Sequence, residues 1–195
     1  MSRTATIARK TRETDLRLTL DLDGSGATEI ATGIGFLDHL LVSLAKHARF
    51  DLALTCKGDL EVDDHHTAED CALALGQALS EALGERRGIA RFGSAYAPLD
   101  EALARAVVDL SGRPAPVIDL GLTRWAIGAL ATENVTHVLA SLANAARMAL
   151  HVDVLRGSND HHRAEAAFKA TALALRAAVA RDGSSEIPST KGTLA

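Results

Sequence analysis

The sequence predicts an α+β fold built from two duplicated β-β-α-β-α halves, each with a sheet covered on one face by two helices. Three observations lead to it. The pattern His-His-x-x-Glu occurs twice, as His65, His66 and Glu69 and as His161, His162 and Glu165, each time behind an aspartate, Asp64 or Asp160. A longer repeat lies upstream: residues 39–52 align without a gap on residues 137–150. The shared positions are His39/His137, Leu41/Leu139, Ser43/Ser141, Leu44/Leu142, Ala45/Ala143, Ala48/Ala146, Arg49/Arg147 and Leu52/Leu150. Finally, strand-like alternation and helical periodicity recur in the same order in both halves.

In the first half, residues 4–10 and 16–21 alternate apolar and polar side chains, as half-buried strands do. Asp23, Gly24, Ser25 and Gly26 form a hairpin-type turn. Leu37, Leu40, Leu41 and Leu44 fall on one helical stripe, and residues 50–55 alternate again as a strand. Lys57, Gly58 and Asp59 end that strand, and a long helix runs from His65 to about Leu83 and stops at Gly84. The second half repeats the order with strands at 103–110 and 117–120, a helix over 133–148, a strand at 150–155, a turn at Gly157 and a helix over 161–180. The division falls at residues 84–88, giving a first half of 1–88 and a second of 89–195 within one compact domain. Residues 184–195 are polar and turn-rich; they read as a frayed terminus, or as an oxyanion-binding tail through Ser189, Thr190 and Lys191.

Bulk properties narrow the function classes. A net charge of −4 gives no general attraction to nucleic acid or anionic membranes. No apolar run is long enough for a membrane span, and residues 1–5 lack the apolar core of a signal peptide. Cys56 and Cys71 are too few for a disulfide framework and read as buried, reduced thiols of a cytoplasmic protein. Gly33 and Gly35 lack the context of a dinucleotide fingerprint.

The repeated histidines carry the chemistry. On a helix, residue i+4 lies about 40° from residue i and i+1 about 100° away, so Glu69 falls between His65 and His66, and Glu165 between His161 and His162. Adjacent histidines diverge enough to serve two different ions, and the wheel leaves open which of them each glutamate joins. Imidazole with carboxylate suits Zn, Mn, Fe, Co or Ni, and the lack of thiolates disfavours a structural zinc site. His39 and His137 add a third histidine to the set of their own half, which makes six histidines and two glutamates in two four-residue sets, enough for two ions with open positions for substrate. For a single copy, the plain reading would be a solvated helix start with Asp64 or Asp160 as N-cap; two copies joined by an upstream repeat favour metal. His47 and His151 do not recur: His47 shares a helix side with His39 and is a candidate substrate contact, and His151 reads as structural. Arg91 and Arg113 sit at glycine-containing turns and would matter for a phosphorylated substrate.

With these residues in view, the chain resembles the imidazoleglycerol-phosphate dehydratase family of histidine biosynthesis. The similarity spans almost the whole chain. It is carried by residues 12–14, 32–39, 58–60, 64–70, 91–93, 100–102, 109–114, 159–162, 165–169 and 189–192. The resemblance implies a ribosomal protein S5 domain 2-like fold. It also implies two Mn²⁺ ions per active site, held by His39, His65, His66, Glu69, His137, His161, His162 and Glu165. Substrate contacts would be Glu13, His47, Arg91, Arg113, Lys169, Ser189 and Lys191, with the cationic groups and Ser189 on the phosphate. Active sites would form between subunits of a cubic, twenty-four-subunit homo-oligomer. The implied reaction is the dehydration of D-erythro-imidazole glycerol phosphate to imidazole acetol phosphate, through an imidazolate on two manganese ions and a diazafulvene-like intermediate. Glu13 is the expected acid/base, with Glu69 and Glu165 as competing catalytic carboxylates. Two other classes fit the ligand set: a binuclear metal hydrolase, and a metal-storage protein.

Overall fold

The computed structural model describes residues 3–194. The first half runs β1 (Thr4–Lys10), β2 (Thr14–Asp21), β3 (Thr28–Ala31), α1 (Gly35–Ala48), β4 (Asp51–Gly58) and α2 (His65–Leu83). The second runs β5 (Phe92–Leu99), β6 (Ala102–Asp109), β7 (Ala115–Asp119), α3 (Thr132–Ala145), β10 (Ala149–Arg156) and α4 (Asp160–Ala178). A two-stranded ribbon, β8 (Ala126–Ile127) and β9 (Leu130–Ala131), is inserted before α3.

The two sheets have the same topology, β1-β2-β4-β3 and β5-β6-β10-β7, with the last strand parallel to its neighbour and the others antiparallel. Each half therefore has one strand more than its hydrophobic pattern predicted. The strand missed in the first half, β3, is a short edge strand with a single apolar side chain half-buried, Ile30. The strand missed in the second, β5, is also an edge strand, and it carries Gly93 and Pro98, which weaken the alternation signal. The turn at Asp23–Gly26 is not a hairpin turn: it leads from β2 to β3, and β4 lies between those strands. The tight β–β connections of the two four-stranded sheets are at residues 11–13 and at Asp100 and Glu101.

Period-two alternation buries one face of each sheet. Leu16, Leu18 and Leu20 on β2 are at most 2% exposed, each a burial that stabilises by about 1.5–3 kcal/mol. Helices α1 and α2 cover the first sheet, α3 and α4 the second. The helices then pack across the halves, α2 on α3 and α1 on α4, so one core is shared. Small residues make the approach close. A Cβ at Gly76 on α2 would sit 2.6 Å from the Leu142 carbonyl oxygen on α3, so no larger residue fits there without a shift.

The junction predicted at residues 84–88 is no loose linker. Arg86 is buried, and its guanidinium donates to the carbonyls of Ala146 (2.7 Å) and Arg147 (2.9 Å), which end α3. Burial, followed by repulsion from Arg147, lowers its pKa. Cys56 and Cys71 are buried and free, as expected. No helix among the described residues is long and apolar enough to cross a membrane.

Candidate metal centre

Both His-His-x-x-Glu patterns open a long helix. Asp64 stands at the N-cap of α2 without a side-chain capping bond, and Asp160 is the first residue of α4, capped by Asn159. The His65 N–H donates to Asp63 Oδ1 and the His161 N–H to Asn159 Oδ1, both at 2.9 Å, two residues upstream of the first histidine. The side chains of Asp64 and Asp160 accept from backbone amides of the segment before α3, Asp64 from Ala131 (2.7 Å) and Asp160 from Thr123 (2.7 Å) and Arg124 (2.6 Å). They brace the starts of α2 and α4 against the segment before α3.

The helix packing brings six of the eight expected ligands into two clusters, His65, Glu69 and His137, and His39, His161 and Glu165. Within each, the donor atoms lie within 4.8 Å of one another. Grouping the upstream histidine with the pattern of its own half is thereby corrected: His39 joins the second pattern and His137 the first. The cause is the crosswise contact of α1 with α4 and of α2 with α3. Each glutamate joins the first histidine of its pair. Glu165 Oε2 lies 2.9 Å from His39 Nε2 and 3.3 Å from His161 Nε2. Glu69 Oε1 lies 3.1 Å from His137 Nε2, and its Oε2 is 3.9 Å from His65 Nε2. Two imidazoles and a carboxylate converging on one point suit a divalent cation of intermediate softness. The side chains of His39 and His65 are 46% and 43% exposed, so both clusters are open at the surface of the chain.

His66 and His162 belong to neither cluster. Each ring stands nearly perpendicular to that of its neighbour, at 73° for His65 and His66 and 88° for His161 and His162, and is held from behind by a carboxylate. His66 Nδ1 lies 3.0 Å from Asp59 Oδ2, and His162 Nδ1 lies 2.7 Å from Glu101 Oε2. The hydrogen bonds to Asp59 and Glu101 raise the pKa of the respective histidines. The ring of His65 is held too, with Nδ1 3.0 Å from the side-chain oxygen of Asn134 on α3. Asp59, Glu101 and Asn134 were not among the predicted site residues: Asp59 and Asn134 have no like residue in the other half, where Gly157 and Phe36 stand, and Glu101, the counterpart of Glu13, meets its histidine at a different ring nitrogen.

The remaining candidates distribute unevenly. Glu13, in the β1–β2 connection, is 3.8 Å from His66 Nε2. Lys169 Nζ lies 2.7 Å from Glu165 Oε1. Burial acts to raise the Glu165 pKa, but the bonds to Lys169 and His39 prevail and hold it at about 2. His47 lies in the field of the same pair; burial and then Lys169 lower its pKa. Arg91, with a left-handed backbone, chelates Asp109 (2.7 and 3.1 Å) and donates to the Pro188 carbonyl at 2.7 Å. It thus pins the C-terminal tail, where the Lys191 N–H donates to Ser189 Oγ. Arg113 is exposed on the β6–β7 turn, whose Gly112 carbonyl accepts from Arg147 Nε at 3.1 Å. His151 projects from the outer face of the second sheet, away from both clusters.

Comparison with known proteins agrees with this picture. The sequence profile described as imidazoleglycerol-phosphate dehydratase matches residues 32–175. A relative of that name from Phytophthora nicotianae is 60% identical over 99% of this chain, which spans 43% of that longer protein. One from Phaffia rhodozyma is 57% identical over 98% of this chain and 96% of its own length. The crystal structure of imidazoleglycerol-phosphate dehydratase from Staphylococcus aureus superposes with a TM-score of 0.83 at 35% identity, covering 91% of this chain and 98% of that one. The Pyrococcus furiosus structure, a complex with (S)-C348, gives 0.82 at 36%, covering 96% and 100%.

Proposed function

The chain belongs to the imidazoleglycerol-phosphate dehydratase family, and from that premise we propose how its own residues serve the dehydration of imidazole glycerol phosphate to imidazole acetol phosphate in histidine biosynthesis. The observation that carries the reading is the pair of equivalent three-donor clusters. Each suits one Mn²⁺ with coordination positions to spare. His66 and His162 complete the centres of neighbouring subunits. Their Nε2 atoms are not engaged in the clusters of their own protomer, and the loop beside His66 exposes the apolar side chains of Leu60 and Val62, as a subunit contact would. The active protein is therefore a homo-oligomer with sites between subunits, and its two free, buried thiols suit the cytoplasm.

The proton to be removed lies on a carbinol carbon and is poorly acidic. When bound, the two cations supply positive charge beside the imidazole ring, which favours loss of its N–H proton and hence of the adjacent hydroxyl. The protein must then move protons and hold the phosphate. Glu13 serves as acid and base: it is exposed and lies beside His66, so it faces the same shared site. Glu69 and Glu165 are bound up with histidines and are left as ligands. Arg113, Ser189 and Lys191 take the phosphate, and Arg91 holds the tail that carries the last two. His47 and Lys169 line the substrate side of the Glu165 cluster.

The test is turnover. Manganese-loaded protein incubated with imidazole glycerol phosphate should form an enolisable ketone without releasing phosphate. Phosphate release would replace the reading by a hydrolase, and no product at all by metal storage.

A further inference from the structure

The holders of His66 and His162 do not follow the duplication that produced the histidines. Asp59 lies just beyond β4, and the corresponding stretch after β10, Gly157 and Ser158, has no carboxylate. Glu101 lies in the β5–β6 connection. The matching connection in the first half carries Glu13, which lies by the other ring nitrogen of His66. Two unrelated positions thus converge on one geometry, a carboxylate against Nδ1. Both holders are themselves anchored. Glu101 Oε1 accepts the N–H groups of Ser158 (3.0 Å) and Asn159 (2.9 Å), leaving Oε2 for His162. Asp59 is fixed through its own N–H to the Glu13 carbonyl at 3.0 Å, and both its oxygens lie within 3.2 Å of Nδ1.

We infer that Asp59 and Glu101 are positioning residues that keep the proton of His66 and His162 on Nδ1 and aim the Nε2 lone pair out of the protomer. A carboxylate that accepts the Nδ1 proton fixes the tautomer and ring plane and makes the other nitrogen a better donor, the arrangement behind many metal-bound histidines. His65 needs less of this, since its cluster is assembled within the protomer and a neutral amide, Asn134, suffices. His66 and His162 reach outward on their own, so their aim depends on the group behind them. The inference rests on the reading of these two histidines as ligands of a neighbouring subunit's centre.

The measurement is calorimetric titration of the metal-free protein with Mn²⁺, with thermal unfolding of the metal-free variants as the control for folding. Asp59→Ala and Glu101→Ala should each weaken binding by about 10–100-fold at one class of site. Asp59→Asn and Glu101→Gln keep an acceptor opposite Nδ1 and should recover most of the loss, which a merely structural role would not produce. Unchanged affinity in both alanine variants, alongside a lost site in His66→Asn, overturns the positioning role while the ligand role of His66 stands. If His66→Asn also binds normally, the reading of that histidine as a ligand fails and the inference falls with it.

Discussion

Glu69 and Glu165 occupy equivalent places in the duplicated fold and live in different surroundings. Glu165 is 13% exposed and paired with Lys169; Glu69 is 36% exposed, and Leu73 stands where the lysine would be. Ala145 takes the place of His47, and Asn134 that of Phe36, whose ring packs on His161 at 5.0 Å. The donors were thus kept in both halves and the neighbours diverged. One cluster has a lysine and a histidine beside it, and the other has neutral neighbours.

The largest effect that bears on this contrast comes from removing the shared carboxylates. Glu69→Gln and Glu165→Gln should each lose one equivalent of bound manganese and lower turnover by more than about 100-fold, the scale of losing a main electrostatic stabiliser. Metal analysis and steady-state rates check this, and near-normal turnover in either variant would mean that one centre is dispensable.

A smaller change sharpens the contrast. Lys169 competes with a cation for Glu165, so Lys169→Leu should tighten manganese binding at that centre by about tenfold while raising KM. The reciprocal Leu73→Lys should weaken the Glu69 centre. Equal, unshifted affinities in both variants would remove the lysine as the source of the asymmetry.

The smallest effect lies in the turns. In the first half, Asp51 Oδ1 accepts the backbone N–H groups of Ser25, Gly26 and Ala27, which braces the β2–β3 turn. The equivalent residue in the second half is Ala149, and the matching turn presents Arg113. The amide of Ala27, then that of Ser25, holds the Asp51 pKa below its ordinary value. A depressed carboxylate stabilises above its unfolded pKa of about 3.9 and loses that contribution as pH falls through the folded value. Asp51→Asn should therefore lower Tm slightly at neutral pH, with the gap closing below about pH 4. A gap that persists in acid would assign the effect to the turn's packing.

The six residues of the two clusters were legible in the sequence because each has a counterpart in the other half. Their grouping was not, since it depends on which helices meet, and α1 meets α4 through contacts that no local pattern encodes. The paired helices and central strands were legible from long apolar periods. Strands β3 and β5 were not, because they bury little apolar surface: β3 half-buries only Ile30, and β5 fully buries only Gly93 and Ala97. Asp59, Glu101 and Asn134 escaped for a further reason: each acts through a histidine, and the matching positions in the other half, Gly157, Glu13 and Phe36, hold no group that does the same.

The crosswise clusters have an ancestral consequence. A lone half would hold its upstream histidine and its His-His-x-x-Glu pattern in two different clusters, so it could complete neither. Two identical halves related by a twofold axis would complete both at once. The present chain has the form of such a dimer with its partners fused, which makes the meeting of the two contributions independent of concentration. Fusion also lets the halves differ, and the two centres do differ: Lys169 and His47 stand beside one, Leu73 and Ala145 at the matching positions of the other.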